Sequence, residues 1–167
     1  MMSDAALPRA TAVPAEAPAD GPSFADCYRE LRPEMVRLAT LLVGNREVAV
    51  DLVQDAFVGL HRAWHRVRAP EAYVRRALVY RCRSHHRRRA VERRYLRSAA
   101  KDVSELDADE LTDALAALTP RQRAAIVLRY YADLPDAEIA TALRCRVGTV
   151  PSLIHRGLAE LRKVIEP

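Results

Sequence analysis

Residues Leu118–Leu161 read LTPRQRAAIVLRYYADLPDAEIATALRCRVGTVPSLIHRGLAEL, and this stretch decides the fold. Thr119-Pro120-Arg121-Gln122 is a capping box with proline at the first helical position. It opens a helix through Ile126, Val127 and Tyr130. Asp136–Leu143 has the length of a short second helix. Val147, Val150, Ile154, Leu158, Leu161 and Ile165 then recur at three- and four-residue steps, the apolar stripe of a third. A short helix, a tight turn and an amphipathic helix make a helix-turn-helix, which sets side chains into a DNA major groove. A helix bearing Leu111, Leu115 and Leu118 precedes it.

Upstream, the same periodicity continues. Phe24, Tyr28, Leu31, Met35, Leu38 and Leu42 share one helical face, with Pro33 expected to bend or restart the helix. Gly44-Asn45 ends it and caps the next. That helix runs from about Arg46 to Trp64, with Val48, Leu52, Ala56, Leu60 and Trp64 inward. The loop Arg66–Ala69 leads to Pro70 and a third helix, Glu71 to about Arg94. No segment alternates apolar and polar residues over strand length, so the fold is all-α. Residues 1–22, rich in Ala and Pro, read as a disordered tail rather than a signal peptide. Residues 23–97 and 109–167 form two small helical domains, joined by an acidic linker at 98–108.

Composition narrows the function. The chain has 167 residues, half of them hydrophobic and 29% charged, and no apolar run long enough to span a membrane. Cys27, Cys82 and Cys145 are odd in number and far apart, which fits reduced thiols in the cytoplasm and no metal site. The net charge of +5 hides segregation. Residues 61–97 carry 13 arginines against two glutamates, an excess of +11, while residues 98–113 carry −5. Such an excess implies a polyanion partner, nucleic acid above all.

No catalytic constellation is present. Ser152 and His155 share a helix without a carboxylate partner, and His85-His86 lies in an arginine run that repels a cation. An enzymatic role, a cofactor and a small-molecule substrate are therefore not expected. The third helix combines Tyr73, Tyr80, His85 and His86 with Arg75, Arg76, Arg81, Arg83 and Arg87–Arg89. Aromatic faces stack on unpaired bases while arginines hold phosphates. Tyr73 reads as a core residue; Tyr80 fits core and base-stacking roles equally. Asp51, Gln54, Asp55 and Gly59 cluster at helical spacing on the second helix, as a solvated face or a protein-docking face.

Three stretches now resemble one family. NREVAVDLVQDAFVGLHRAW (45–64) is similar to the polymerase-binding region of bacterial sigma factors. PEAYVRRALVYRCRSHHRRR (70–89) resembles the adjoining promoter-melting helix, and LTPRQRAAIVLRYYADLPDAEIA (118–140) the start of the promoter-reading domain. Order and spacing resemble the two-domain extracytoplasmic-function (ECF) group of the sigma-70 family, and MVRLATLLVGNREVAVDLVQDAF (35–57) an actinobacterial SigE-like subgroup.

The resemblance implies that the N-terminal domain is sigma region 2 and the C-terminal domain the helix-turn-helix of region 4. It implies that core RNA polymerase docks on Asp51, Gln54 and Asp55. Val67, Arg68, Tyr80, Arg81, Ser84, His85, Arg87 and Arg88 would hold the −10 element with a base unstacked. Arg121, Arg144, Arg146, Thr149, Ser152, His155 and Arg156 would meet the −35 element as duplex, with Arg123 a further phosphate anchor. The partners implied are core polymerase, promoter DNA and an anti-sigma factor.

Departures from the family concentrate in region 4. Arg144-Cys145-Arg146 stands where Gly-Cys-Ser is common. Arginine at a left-handed turn position costs about 1 kcal/mol, and loss of a side-chain N-cap at Arg146 about 1 more. Pro151 and Leu153 replace basic residues, and Pro151 is expected to tighten or kink the recognition helix. Tyr80 and His85-His86 replace the residues common in the melting helix.

Overall fold

A computed structural model describes residues 23–95 and 110–165; the tail and most of the linker proposed from sequence lie outside them. Seven α-helices run through the described residues: α1 Phe24–Val43, α2 Arg46–Ala63, α3 Pro70–Tyr95, α4 Glu110–Ala116, α5 Pro120–Tyr130, α6 Asp136–Leu143 and α7 Thr149–Ile165. A single 3-10 turn, Trp64–Arg66, follows α2.

The local signals act as the residues dictate. Ser23 opens α1 with a capping box: its hydroxyl accepts from the Asp26 amide, and the Asp26 carboxylate accepts from the Ser23 amide. Gly44 closes α1 at φ 74°, a left-handed conformation that glycine adopts freely, and its N–H donates to the Thr40 carbonyl at 2.7 Å. The Asn45 side chain then accepts from the Val48 amide at 2.9 Å and starts α2. Thr119 and Gln122 form the expected capping box on α5, with Pro120 at its first position. Pro33 neither breaks nor restarts α1. It is exposed, so water can serve the carbonyl that its missing N–H leaves without a helical partner.

α1, α2 and α3 pack on one another, and α5 packs on α6 and α7. The inward face of α2 is Ala49, Val53, Ala56, Phe57 and Leu60, so the stripe sits one residue away from the expected Val48 and Leu52, which are only half-buried. The reason is Phe57, the largest fully buried side chain. An aromatic cluster seats it: the Tyr28 ring meets it edge-on at 4.8 Å, and Phe24 contacts both His61 and Trp64. Leu111 and Leu158, expected inside, are exposed; Leu115 and Leu118 are buried as expected, and Ala114 joins them.

The two helical blocks share one hydrophobic core. α5 packs against α1, and α6 against α3. Leu42, Val79 and Cys82 of the first block line one small pocket with Ala124 and Leu143 of the second. Arg123 is the buried polar residue of this seam. Its Nε donates to the Leu115 carbonyl at 2.8 Å, and a Cβ added to Gly44 would sit 3.3 Å from its Nη1. Burial lowers its pKa, yet it remains a cation at any physiological pH. Arg123 is therefore a structural strut between α4 and α5, and is removed from the phosphate-anchoring residues expected from sequence.

The helix-turn-helix departures have physical answers. Arg144 does occupy the left-handed position, at φ 50° and ψ 57°, as the C-cap of α6. The Cys145 amide donates to the Ala140 carbonyl at 3.0 Å and secures the turn. The Arg146 carbonyl accepts from the Thr149 amide at 2.9 Å, so main chain closes the approach to α7. Pro151 is the third residue of α7, in the first turn, where no helical acceptor is lost. α7 runs on through Pro151 without a break, and the Thr149 and Val150 amides donate to the Arg146 and Val147 carbonyls in tight i, i+3 turns at its entry. Leu153 is buried and contributes to the core, not to an arginine's former surface. Gly157 lets α7 approach α5 closely: a Cβ there would come within 2.6 Å of Ile126 Cδ1.

Candidate nucleic-acid interface

On α2, Asp51, Gln54 and Asp55 are exposed, on the side away from Val53, Phe57 and Leu60. They form one patch at i, i+3 and i+4. Gly59, half-buried on the same helix, is where α3 attaches: the Tyr73 hydroxyl donates to the Gly59 carbonyl at 3.3 Å. Tyr73 is thus a core-edge anchor, as its position suggested.

α3 presents the basic surface. Tyr80 is 47% exposed, which answers the open question about it: the ring is not in the core. Arg87 and Arg88 are exposed, while Arg81, Ser84 and His85 are half-buried. Tyr80, Ser84, Arg87 and Arg88 follow i, i+4, i+7, i+8 spacing and share a face. Arg81 lies back along its own helix, with Nη1 3.5 Å from the Ala77 carbonyl. His86 is held at the α1 end, a ring nitrogen 2.9 Å from the Leu42 carbonyl. Burial lowers the pKa of His85, and the neighbouring His86 and Arg89 lower it further. These causes favour the neutral ring, which stacks or hydrogen-bonds without adding charge.

Val67 and Arg68 lie at the foot of α3, about 15 Å from Tyr80 along the helix at ~1.5 Å per residue. Arg68 is exposed; Val67 lines a cleft of about 630 Å³ between the two blocks. Arg66, Arg75 and Arg76 face Glu138, Thr141 and Ala142 across that cleft. Arg75 also pairs with Glu71 and, at 3.8 Å, with Glu34.

In the second block, Ser152, His155 and Arg156 are exposed on α7 and Thr149 is half-buried. Arg156 Nε donates to the Ser152 carbonyl at 3.1 Å, so its head lies along the helix. His155 and Pro151 border a shallow groove with Tyr130 and Leu158, and an Arg129–Asp136 ion pair ties α5 to α6 beside it. Arg121, Arg144 and Arg146 are exposed, and Arg121 and Arg144 approach α3 of the first block. They stand close enough to Arg83 of α3 to lower its pKa, after burial. The structure thus brings together Ser152, His155 and Arg156 on α7, and places Arg121 and Arg144 beside Arg83 of the other block.

Sequence reasoning placed Arg83 in the basic set of the third helix but missed its contact across the seam, where its Nη1 lies 3.5 Å from the Ala142 carbonyl. It also missed the outward turn of Tyr130 and Tyr131. Two adjacent tyrosines at a helix end cannot both point inward, which was the available signal. Among the described residues no cluster of His, Cys, Asp and Glu has the makings of a metal site, and no helix is long and apolar enough to cross a membrane.

Comparison with known proteins fits this arrangement of surfaces. The Sigma-70 region 2 family model matches residues 27–92, and the Sigma-70 region 4 model residues 108–161. The chain is 33% identical over 152 residues to the RNA polymerase sigma-E factor of Streptomyces avermitilis, covering 86% of this chain and 85% of that one. It is 33% identical over 149 residues to the sigma-E factor of Streptomyces coelicolor, covering 84% of each. The fold is that of the sigma factor RpoE solved with the anti-sigma factor NepR from Bartonella quintana (TM-score 0.67, 24% identity, 84% of this chain and 97% of that one). It is also that of CnrH solved with the cytosolic domain of CnrY (TM-score 0.61, 22% identity, 86% and 87% covered). The chain belongs to the sigma-70 family, in its ECF group: it is an RNA polymerase sigma factor, which directs transcription initiation and is not an enzyme.

Proposed function

We propose a division of labour for this sigma factor. Residues 23–97 dock core RNA polymerase through Asp51, Gln54 and Asp55, and melt the −10 element. Val67 and Arg68 at the foot of α3, and Tyr80, Arg81, Ser84, His85, Arg87 and Arg88 along it, capture the opened strand. Residues 109–167, after a linker at 98–108, read the −35 duplex through Thr149, Ser152, His155 and Arg156, with Arg121, Arg144 and Arg146 on phosphates. The protein works in the cytoplasm, where core polymerase is.

The observation that carries this reading is the pairing of two unlike surfaces in one small domain. An exposed acid-and-amide patch on α2 repels DNA and suits a protein partner. The adjoining α3 joins exposed arginines to the exposed Tyr80 ring, the combination that binds single strands. A free DNA-binding regulator has no use for the first surface. The two solved relatives were captured with an anti-sigma factor and with CnrY, which supports a protein regulator for this chain too. The test is co-purification: the tagged chain retains core polymerase subunits, and the complex opens a fluorescent-base −10 duplex. Retention of polymerase without strand opening would overturn the role given to α3.

A further inference from the structure

An ion pair stands in the groove beside α7. Arg129, near the end of α5, pairs its guanidinium with the carboxylate of Asp136, the first residue of α6. Both side chains remain 32% exposed, so the pair is open to an outside partner. Pro151, Ile154, His155 and Leu158 of α7 line the same groove. His155 belongs to two sets: it borders the groove, and it is exposed beside Ser152 and Arg156.

The place of the pair in the helix-turn-helix gives it a meaning. The second helix of such a unit enters the major groove, while the first crosses the sugar–phosphate backbone. A duplex held by Ser152, His155 and Arg156 therefore runs its flanking phosphates past the start of α6. Two features there favour an anion. Pro135 supplies no side-chain cap, so the positive end of the α6 dipole is unmet by a capping side chain. Arg129 adds a full positive charge beside it. Arginine takes carboxylate and phosphate with the same forked hydrogen bonding. The Asp136 carboxylate thus meets both needs from within the chain.

We propose that Asp136 stands in for a DNA phosphate on Arg129, as a positioning residue that holds down the duplex affinity of the second block. The inference rests on the DNA role proposed above for α7. With its charge already met, Arg129 adds nothing to counterion release when duplex docks. A phosphate gains the guanidinium only by displacing the carboxylate, which then repels it. Sequence-blind phosphate contact is reduced, and the base contacts of α7 carry a larger share of binding. Glu138 lies two residues on but not in this groove: it lines the cleft opposite Arg66 and Arg76 of the first block.

The test is duplex binding by the full chain across a salt series. The probe is a short random-sequence duplex, because phosphate contacts do not depend on sequence. Asp136→Asn removes the charge and keeps the side-chain shape, which frees Arg129 for a phosphate. The log–log salt slope should steepen by about 0.9, and affinity at about 0.1 M salt should rise about five- to tenfold. Asp136→Glu restores the carboxylate and should restore the wild-type slope. The gain from Asp136→Asn should vanish in an Arg129→Gln background. Glu138→Gln removes an equal charge from the same turn and should leave affinity within about twofold of wild type. The pair also ties α5 to α6, so thermal melting is read for each chain; Asp136→Gln repeats the neutral arm if Asp136→Asn melts below the assay temperature. Lost stability alone does not steepen a salt slope. Neutral variants that bind no tighter than wild type, binding by none included, overturn the proposal. So does a gain that survives Arg129→Gln, or one that Glu138→Gln reproduces. Arg156→Ala reports separately on α7: unchanged affinity there faults the α7 reading, and the Asp136 series is then decided on its own.

Discussion

Asp55→Arg separates docking from folding. Asp55 is exposed and makes no hydrogen bond or ion pair within the described chain. Its neighbour one turn back on the same face is Asp51, so a cation at 55 exchanges a like-charge i, i+4 pair for an opposite one. Folding stability should stay within about 0.5 kcal/mol of wild type or rise slightly. Binding is another matter. A unit charge pair at ~4 Å near a protein surface is worth about 4 kcal/mol, and disrupting a paired interfacial charge costs about 2–5 kcal/mol. At ~1.4 kcal/mol per decade, affinity for core polymerase should fall between about 30-fold and several thousand-fold. Fluorescence anisotropy of the labelled chain titrated with core polymerase reads the affinity, and thermal melting by circular dichroism reads the fold. Unchanged affinity refutes the docking assignment. Lost affinity together with a lowered melting temperature refutes the claim that Asp55 is only a surface contact.

Other substitutions probe the scaffold and the distal reader. Gly44→Ala places a Cβ on a φ of 74° and 3.3 Å from Arg123 Nη1; it should cost about 1–2 kcal/mol in urea unfolding, and a neutral result would show that the α1–α2 turn relaxes freely. Burial pushes the Cys82 thiol up to about 12 from 9.0. Its folded pKa is raised, so its stability contribution is complete below pH 9 and is lost as pH climbs from 9 toward 12. Cys82→Ala should therefore flatten the alkaline fall in stability relative to wild type, and parallel curves would contradict the burial argument. Pro151→Lys adds a cation at an exposed first-turn position of α7 without relieving any kink. Duplex binding should tighten and its log–log salt slope should steepen by about 1; a weaker complex would mean that Pro151 itself shapes the groove contact.

Much of the fold was written in local chemistry. Gly44, Asn45, Thr119 and Gln122 each carry their cap in their own side chain or backbone freedom, so position alone announced them. The exposure of Asp51, Gln54 and Asp55 followed from helical spacing against an apolar stripe. What periodicity could not fix was the weight of single large residues: Phe57 turned α2 by one position because its ring fills the space beside Tyr28. Charge was the poorer guide. Arg123 looks like its neighbour Arg121 in the sequence, yet one is buried under Leu115 and the other faces solvent. Only the approach of α5 to α1 distinguishes them, and that approach depends on residues distant in sequence. Arg144 and Tyr80 are 64 positions apart, so the approach of the guanidinium to within 5.2 Å of the ring centre had no local signature. Pro151 shows the converse: a residue that disrupts a helix interior is harmless in the first turn, and the helix start alone decides which case applies.

The central claim is that this chain confers promoter choice on core polymerase. Multi-template in vitro transcription with purified core enzyme and a promoter library tests it most directly. Transcripts with defined start sites are expected from a subset of templates, dependent on the added chain and abolished by Asp55→Arg. Core enzyme that gains no specific initiation from the wild-type chain under any condition would contradict it.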